Sequence, residues 1–266
     1  MESKYNQIGK GYNRTRQADP YLLSRLHFHL STKVGEKYLD IGCGTGNYTI
    51  ALNALGADLI GVDPSPRMLD IARSKNEAIP WILGSAESIP LEDNAVDGAL
   101  ATLTIHHWTD LHRGFQELYR VIKPGGRIVL FTSTPDQMNR YWLNHYFPKM
   151  LEDSMLQMPA LSLVQESLET AGFHGLSTEP YFIQPDLQDL FLYSGKHNPS
   201  LYFESQVRAG ISSFSALANA AEVTSGLAKL QDDIKSGHID QVITDYQNTL
   251  GDYLFITARM GKKLSE

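Results

Sequence analysis

Short apolar runs alternate with longer amphipathic segments through the first half of the chain. The runs predict strands, and the segments with apolar residues at helical spacing predict helices. We predict five strands here, at Lys37–Ile41, Leu59–Val62, Trp81–Leu83, Val96–Leu103 and Arg127–Thr132. Strands that alternate with helices indicate crossover connections, and therefore a mainly parallel sheet covered by helices on both faces.

The second half of the chain has a different pattern. Residues 136–159 are rich in aromatics and methionines and show no strand pattern, whereas Leu161–Ala171 predicts a helix and His174–Ile183 a sixth strand. Residues 186–247 have a mostly helical pattern, and Gly251–Ala258 predicts a final strand. We therefore expect a helical cap over the sheet edge at which open α/β sheets bind ligands.

A glycine-rich turn follows the first predicted strand, at Gly42-Cys43-Gly44-Thr45-Gly46. Glycines in such a turn permit positive φ angles and let a ligand approach the backbone closely. A dinucleotide fingerprint would need glycine or alanine at Asn47, and no lysine occupies a phosphate-cradle position. Asp63 ends the second predicted strand, where an acid can bind ribose hydroxyls. A tight turn with a helix-capping Asp63 is the alternative.

Five stretches carry a family resemblance: YLDIGCGTGNYT (38–49), IGVDPSPRML (60–69), GSAESIPLEDNAVDGALATLTIHHW (84–108), LYRVIKPGGRIVLF (118–131) and GDYLFITARM (251–260). They resemble the class I S-adenosylmethionine-dependent methyltransferases, in the methyltransferase type 11 branch with the ubiquinone- and menaquinone-biosynthesis enzymes. The resemblance implies an α/β, Rossmann-like fold with a seven-stranded, mostly parallel sheet, helices on both faces and a helical cap. It also implies methyl transfer from S-adenosyl-L-methionine, with S-adenosyl-L-homocysteine as product.

This resemblance divides the chain into parts of one methyltransferase domain, residues 1–266. We expect N-terminal lid helices over 1–34 and a cofactor-binding core over 35–135. Helical cap insertions would occupy 136–160 and 184–248, and a closing helix with strands would occupy 161–183 and 249–262.

The resemblance also implies a cofactor site at the strand tips. Asp40 and the glycine-turn backbone would contact the methionine part, Asp63 would hold the ribose diol, and Leu103 with Thr104 would line the methionine end. The family often has Gly-Asp-Ala-Glu at the third strand tip, where this chain has Ser85 in place of the acid. The implied cofactor-binding residues are Tyr12, Arg16, Asp40, Gly42, Cys43, Gly44, Gly46, Asp63, Pro64, Met68, Ser85, Ala86, Glu87 and Leu103.

Residues 5–20 resemble the family's leading lid, in which an aromatic residue and an arginine often close over the cofactor. Tyr12 and Arg16 are the candidates in this chain. Arg16 could pair with a carboxylate of the cofactor or substrate. The alternative is a solvent-exposed helix.

His106 is the candidate catalytic residue, as a general base just past the fourth strand. A base is needed only when the acceptor must lose a proton, so this residue favours an oxygen or carbon acceptor over nitrogen. The alternative is that His106 and His107 are packing or loop residues.

The acceptor itself is not defined by the sequence. Aromatic residues of the insertions could line a pocket for an apolar or aromatic molecule, or could form the core of the cap; they are Tyr141, Trp142, Tyr146, Phe147, Phe191, Tyr193, Tyr202 and Phe203. Polar and basic residues at 195–198 and 206–210 could instead anchor a carboxylate-bearing substrate.

Composition narrows the class of partner. The 266 residues include 23 Lys+Arg and 30 Asp+Glu, and the resulting net charge of −7 argues against a protein that binds nucleic acid by neutralising phosphates. The segment after the fourth strand, residues 104–107, contains no proline and so lacks the Pro-Pro-aromatic stretch of base methyltransferases. We expect a small-molecule substrate, no nucleic acid and a monomer or homodimer.

The single cysteine allows no internal disulfide and no cysteine-based zinc cluster, and no His-Glu-x-x-His is present, so we expect no metal. The N-terminus lacks a signal-peptide pattern and the apolar runs are too short for membrane helices, which predicts a cytoplasmic protein without a membrane partner. A non-catalytic cofactor-binding protein or partner subunit is the main alternative. A nicotinamide-dependent oxidoreductase is opposed by the glycine spacing.

Overall fold

The computed structural model describes residues 15–261, so Tyr12 lies outside the described residues. Within them, seven strands form one sheet in the order β3-β2-β1-β4-β5-β7-β6. The strands are β1 (Lys37–Ile41), β2 (Asp58–Asp63), β3 (Trp81–Leu83), β4 (Val96–Thr102), β5 (Ile122–Thr132), β6 (Phe173–Tyr181) and β7 (Tyr253–Met260). β7 is antiparallel to both its neighbours and the other pairs are parallel, which confirms the predicted fold class.

Helices connect the strands and form the cap. They are α1 (Pro20–Leu30), α2 (Asn47–Ala54), α3 (Pro66–Lys75), α4 (Leu111–Val121), α5 (Pro135–Met138), α6 (Pro148–Met155), α7 (Leu161–Ala171), α8 (Ser205–Ala209), α9 (Ala220–Ser236) and α10 (Ile239–Asp245). Side chains of Asp19, Ser65 and Asp110 accept hydrogen bonds from the first turns of α1, α3 and α4, which explains where these helices begin. None of the described helices is both long enough and apolar enough to span a bilayer.

The central strands of the sheet are buried on both faces, as the pattern predicts, whereas the edge strand β6 is mostly exposed. Along β5, Val129 and Phe131 belong to one apolar cluster, whereas Ile128 and Leu130 belong to another. Successive strand residues point to opposite faces, so the two clusters cover opposite sides of the sheet. The cluster with Phe131 continues into the cap, which therefore shares a core with the sheet beneath it.

The predicted start of β5 at Arg127 is wrong. The strand begins at Ile122 and passes through Pro124-Gly125-Gly126, which the sequence pattern predicts to be a break. Gly125 has a φ of +85°, and the pairing with β4 shifts register between Val96 and Gly98. A bulge of this kind accommodates proline and glycine inside a strand.

The last two strands are also displaced from their predicted bounds. β6 ends at Tyr181 instead of Ile183, and β7 runs from Tyr253 to Met260 instead of Gly251–Ala258. Gly251 has a φ of +83°, which belongs to the turn before β7 and not to extended backbone.

The cap is less regular than predicted between residues 194 and 217. Short 3₁₀ turns at Ser194–Lys196 and Pro199–Phe203, helix α8 and one π-helical turn at Ser213–Leu217 occupy this stretch, and longer helices return only with α9 and α10. The cap aromatics divide between its core and the cavity below. Tyr141 and Tyr193 stack with centroids 3.9 Å apart, and Trp142 and Tyr202 are fully buried beside them.

Candidate active site

A cavity of about 200 Å³ lies at the carboxyl ends of β1, β2 and β4, under the cap. This is the edge at which open α/β sheets bind ligands. The sequence-predicted residues that line it are Arg16, Asp40, Gly42, Cys43, Gly44, Asp63, Met68, Leu103, Thr104 and His106. The predicted residues absent from its lining are Gly46, Pro64, Ser85, Ala86 and Glu87.

The three glycines of the turn have different roles. Gly42, Gly44 and Gly46 have φ angles of +72°, +54° and +74°. A Cβ on Gly44 would meet nothing within 4 Å, so its backbone is open to the cavity, whereas one on Gly46 would lie 2.4 Å from the Trp81 ring. Gly46 is therefore required for packing against β3, and its predicted cofactor contact stays a prediction.

Asp40 is a buried carboxyl at the end of β1. Its Oδ2 accepts a hydrogen bond from Thr49 Oγ1 at 2.6 Å. Burial raises the pKa of Asp40 to about 7, and the nearby charge of Asp63 contributes to this rise. A cationic group placed beside Asp40 would favour its charged form.

Asp63 binds two backbone segments at the tip of β2. Its Oδ2 accepts from Gly44 N at 2.9 Å, and its Oδ1 accepts from Ser65 N at 2.8 Å. Burial raises the pKa of this carboxyl despite those bonds. A carboxylate offers about four lone-pair sites. Asp63 can thus hold the glycine turn in place and still accept from ligand hydroxyls.

The third strand tip has contacts that the sequence does not predict. Glu87 Oε1 accepts from Thr109 N at 2.6 Å and from Asp110 N at 3.3 Å, which fixes the turn before α4. Ala86 is buried in the apolar cluster that contains Ile128 and Leu130. The backbones of Ser85 and Ser88 pair as an isolated antiparallel β-bridge. The cofactor contacts of Ser85, Ala86 and Glu87 stay predictions.

The tip of β4 combines an unusual backbone with unpaired polar atoms. Leu103 has a φ of +52°, which is uncommon for a residue with a side chain, and its N donates to Phe131 O at 2.8 Å. Thr102 Oγ1 and His106 Nδ1 are buried and have no hydrogen-bond partner within the described part of the chain. Both residues line the cavity. Buried polar atoms normally have partners, so these two are available to a ligand.

His106 is a neutral imidazole. Burial, together with the adjacent His107, lowers the pKa of His106 well below its usual value. The ring is therefore uncharged at neutral pH and can accept a proton through whichever nitrogen lacks one. Packing against His107, with ring centroids 3.9 Å apart, fixes its place beside the cavity.

Arg16 pairs with a carboxylate of the chain itself. Its Nε lies 2.5 Å from Asp189 Oδ1, and its Nη2 lies 3.3 Å from Asp189 Oδ2. Tyr48 donates to Asp189 Oδ2 at 3.0 Å, and the Asp189 side chain is only 1% exposed. The expected alternative of an exposed helix is wrong for Arg16, whose side chain is only 18% exposed. The bond to Asp189 joins the lid segment to the second cap insertion.

The cap contributes a set of residues that the sequence did not identify as site residues. They are Met138, Ser154, Gln157, Met158, Asp189, Leu192, Ile211, Ser212, Ser213, Ala216 and Leu217. Tyr253, the first residue of β7, lines the cavity as well. Of the aromatics considered, Tyr141 and Phe191 line the cavity. Tyr48, which directly follows the glycine turn and Asn47, could have been found from that position. No local signal marks the cap residues, because their place depends on how the insertions pack.

The basic residues considered as carboxylate anchors lie elsewhere. Lys196 Nζ pairs with Asp252 Oδ2 at 2.7 Å, and Arg208 Nη1 donates to Tyr202 O at 2.5 Å. Neither residue is among those that line the cavity. The structure therefore does not support these two as the anchors of a carboxylate-bearing substrate.

Residues 15–261 contain one group of three potential metal ligands, His145, Asp233 and His238, whose ligand atoms lie within 4.8 Å of one another. The group belongs to the cap, and none of the three lines the cavity. The expectation that no metal takes part at the active site stays a prediction.

Cys43 should react slowly with iodoacetamide, because burial raises the pKa of its thiol well above the usual value and Asp40 and Asp63 add to the rise. The thiolate is the reactive form, so we expect alkylation at least about tenfold slower than that of free glutathione at the same pH. Intact-protein mass spectrometry would follow the reaction. Urea-unfolded protein is the control and should react at the ordinary rate, whereas equally fast labelling of folded protein would contradict the burial.

Residues 39–130 match the model of a family described as a methyltransferase domain. An uncharacterized methyltransferase of Mycobacterium tuberculosis is 44% identical over 101 residues, which cover 38% of this chain and 41% of the relative. A malonyl-[acyl-carrier protein] O-methyltransferase of Serratia marcescens is 39% identical over 103 residues, covering 39% and 40%. The chain thus spans about two-fifths of the length of these curated relatives.

Several solved structures match nearly the whole chain. One of them is a candidate methyltransferase from an antibiotic biosynthesis pathway of Anabaena variabilis, 34% identical, with a TM-score of 0.81, covering 92% of this chain and 98% of its own. The sheet with an antiparallel strand β7, the glycine turn and the acid at the tip of β2 define the class of Rossmann-like methyltransferases. This chain belongs to that class, as a member of the class I S-adenosylmethionine-dependent methyltransferase family.

Proposed function

We propose that the protein transfers a methyl group from S-adenosylmethionine to a small-molecule acceptor bound under the cap, and that the acceptor atom is oxygen or carbon. The cofactor supplies an electrophilic methyl group on a positively charged sulfur. The residues that would hold it are Asp63 for the ribose diol, Asp40 and the Gly44 backbone for the methionine part, and Met68 beside the adenine. The carboxyls of Asp40 and Asp63 also favour a cationic ligand in this cavity.

The observation that carries the choice of acceptor atom is the unpartnered, buried Nδ1 of His106. It lies at the same cavity as the glycine turn, so a base is available where the acceptor reacts. A hydroxyl or an acidic C–H must lose its proton as the new bond to carbon forms, and a neutral imidazole can take it. A neutral amine needs no such base to react.

Replacing His106 with glutamine should lower turnover by about 10²- to 10⁴-fold, because proton removal by the imidazole would be lost. The affinity for S-adenosylhomocysteine should change much less. The assay is S-adenosylhomocysteine formation with a panel of phenols, enols and amines. His112→Gln, on the exposed surface of α4, is the matched control. Wild-type turnover in the His106 variant would make the residue structural.

The pH dependence gives a second readout on His106. Because its pKa is lowered, the ring should stay neutral between about pH 6 and pH 8, and kcat should not fall across this range. A histidine with an ordinary pKa would become protonated as the pH drops, and kcat would fall with it. Asp40 also titrates near pH 7, so the profile of His112→Gln is compared with that of His106→Gln at saturating cofactor and acceptor. A decline present only in the protein that keeps His106 would contradict the buried environment of this ring.

Calorimetry with S-adenosylhomocysteine tests the function directly, since an absence of binding would overturn the proposal. Binding without turnover on the whole panel would favour a cofactor-binding protein with another role. The fold alone does not fix the reaction. The solved structure of the [4+2]-cyclase SpnF shares it, with a TM-score of 0.56 and 21% identity, covering 91% of this chain and 80% of that one.

A further inference from the structure

The cap side of the cavity differs chemically from the side formed by the strand tips. The strand tips contribute the carboxyls of Asp40 and Asp63 and the backbone of the glycine turn. The cap contributes mainly apolar side chains, among them Met138, Met158, Phe191, Leu192, Ile211 and Leu217. Ligand sites with such walls bind apolar surface and use a few polar groups for orientation.

Charge is almost absent from the cap side. Among the described residues that line the cavity, Asp189 is the single charged side chain that the cap insertions contribute. Its carboxylate is already paired with Arg16 and accepts from Tyr48. A carboxylate ligand on the cap side would have to compete with Asp189 for Arg16 or remain without a cation, and a buried carboxylate without a cation is unfavourable.

An ammonium ligand is equally poorly matched on this side. Within residues 15–261, Asp40 and Asp63 are carboxyls of the cavity that form no ion pair, and both lie at the strand tips, where the proposed cofactor already brings a positive charge. A second cation there would be repelled by the first.

Uncharged polar atoms are nevertheless present. Ser154 Oγ lies 2.8 Å from Ser213 Oγ and 2.8 Å from Met150 O. Because one hydroxyl carries one hydrogen, Ser154 donates to only one of these oxygens. In either arrangement Ser213 keeps a lone pair, a hydrogen or both for a ligand. Thr102 Oγ1 and His106 Nδ1 add two buried atoms that need a partner.

We propose that the acceptor is an uncharged, largely apolar molecule with a hydroxyl group, selected by the apolar cap residues and by Ser213 over carboxylates and ammonium compounds. This rests on the proposed function, since the cofactor must occupy the strand-tip side. In the transfer, the methyl–sulfur bond breaks and a methyl–oxygen bond forms. The hydroxyl proton passes to His106, and the sulfur keeps its electron pair as the neutral thioether.

The test uses three probes that share a naphthalene ring substituted at the same position and differ in charge: 2-naphthol, 2-naphthoate and 2-naphthylmethylammonium. Their affinities would be measured by calorimetry at neutral pH, with the protein saturated with sinefungin, a cofactor analogue that transfers no methyl group and carries a protonated amine in place of the sulfonium. We expect 2-naphthol to bind at least about tenfold more tightly than either charged probe, because a buried unpaired charge is unfavourable. Naphthoate or the ammonium probe binding as tightly as naphthol, or no detectable naphthol binding, would overturn the proposal.

Met158→Lys sharpens the test by adding a cation to the cap side, and we expect it to reverse the preference in favour of naphthoate. Leu156→Lys is the matched control, because Leu156 lies two residues away with 80% exposure and is not part of the cavity lining. An unchanged ranking in Met158→Lys, with the cofactor product still bound, would contradict the assignment of this wall.

The ranking of the three probes on the unsubstituted protein tests the proposal even if Met158→Lys does not fold. The affinity for S-adenosylhomocysteine, measured first, separates the two proposals. A protein that does not bind S-adenosylhomocysteine refutes the proposed function. A protein that binds it but prefers a charged probe to 2-naphthol refutes only the proposed acceptor class.

Discussion

Asp63→Ala should weaken the binding of S-adenosylhomocysteine by about a hundredfold or more. A hydrogen bond to a charged group contributes about 1.5–3 kcal/mol, and a ribose diol would donate two such bonds to this carboxylate. The substitution also removes the acceptor for Gly44 N, 2.9 Å away, so the glycine turn would lose the contact that holds its open backbone at the cavity. Calorimetry gives the affinity directly.

Asp58→Ala is the matched control for this result. Asp58 begins the same strand β2 at its opposite end, is exposed, and lies outside the cavity lining. It should leave the affinity unchanged. Asp63→Asn keeps the side chain's shape but loses its charge and one accepting oxygen, so it should give an intermediate loss. Wild-type affinity in Asp63→Ala would contradict the assignment of Asp63 to the ribose diol.

Gly42→Ala should lower the free energy of unfolding by about 3 kcal/mol. A φ of +72° costs a residue with a side chain about 1–2 kcal/mol. The added Cβ would also lie 2.0 Å from Thr104 Oγ1, and overpacking of this kind costs about 1–3 kcal/mol more. Urea unfolding followed by circular dichroism would measure the change.

Gly56→Ala isolates the two contributions, because Gly56 also has a positive φ, +94°, but a Cβ there would meet nothing within 4 Å. We expect this control to lose only about 1–2 kcal/mol, from the backbone strain alone. Equal losses at the two glycines would mean that the strand β4 tip moves aside at little cost, and that the turn is less tightly packed than its geometry indicates.

The cofactor side of the site was largely predictable, because its parts are local. Strand β1 with Asp40, the glycines at 42 and 44 and the acid at 63 all lie within residues 37–63, and parallel strands bring their carboxyl ends to one edge. The errors in this half came from strand geometry. The sequence pattern predicts that Pro124-Gly125-Gly126 interrupts the strand, but a β-bulge accommodates these residues within β5.

The acceptor side depends on contacts between distant parts of the chain. Arg16 and Asp189 are 173 residues apart, and Ser154 and Ser213 are 59 apart, yet each pair meets at the cavity. Arg16 is therefore paired within the chain, although sequence reasoning pairs it with a ligand carboxylate. The sequence likewise makes Lys196 a candidate anchor for a substrate carboxylate, but its Nζ lies 2.7 Å from Asp252 Oδ2 in the structure.

The sequence by itself determined the sheet, the glycine turn and the acids at its edge, because period-two and helical patterns and a turn's glycines act over a few residues. Tertiary structure alone decided which cap residues face the cavity, which charges are neutralised and which buried atoms, such as His106 Nδ1, lack a partner. Those properties follow from the packing of two insertions that have no fixed spacing to the turn, so no local pattern encodes them.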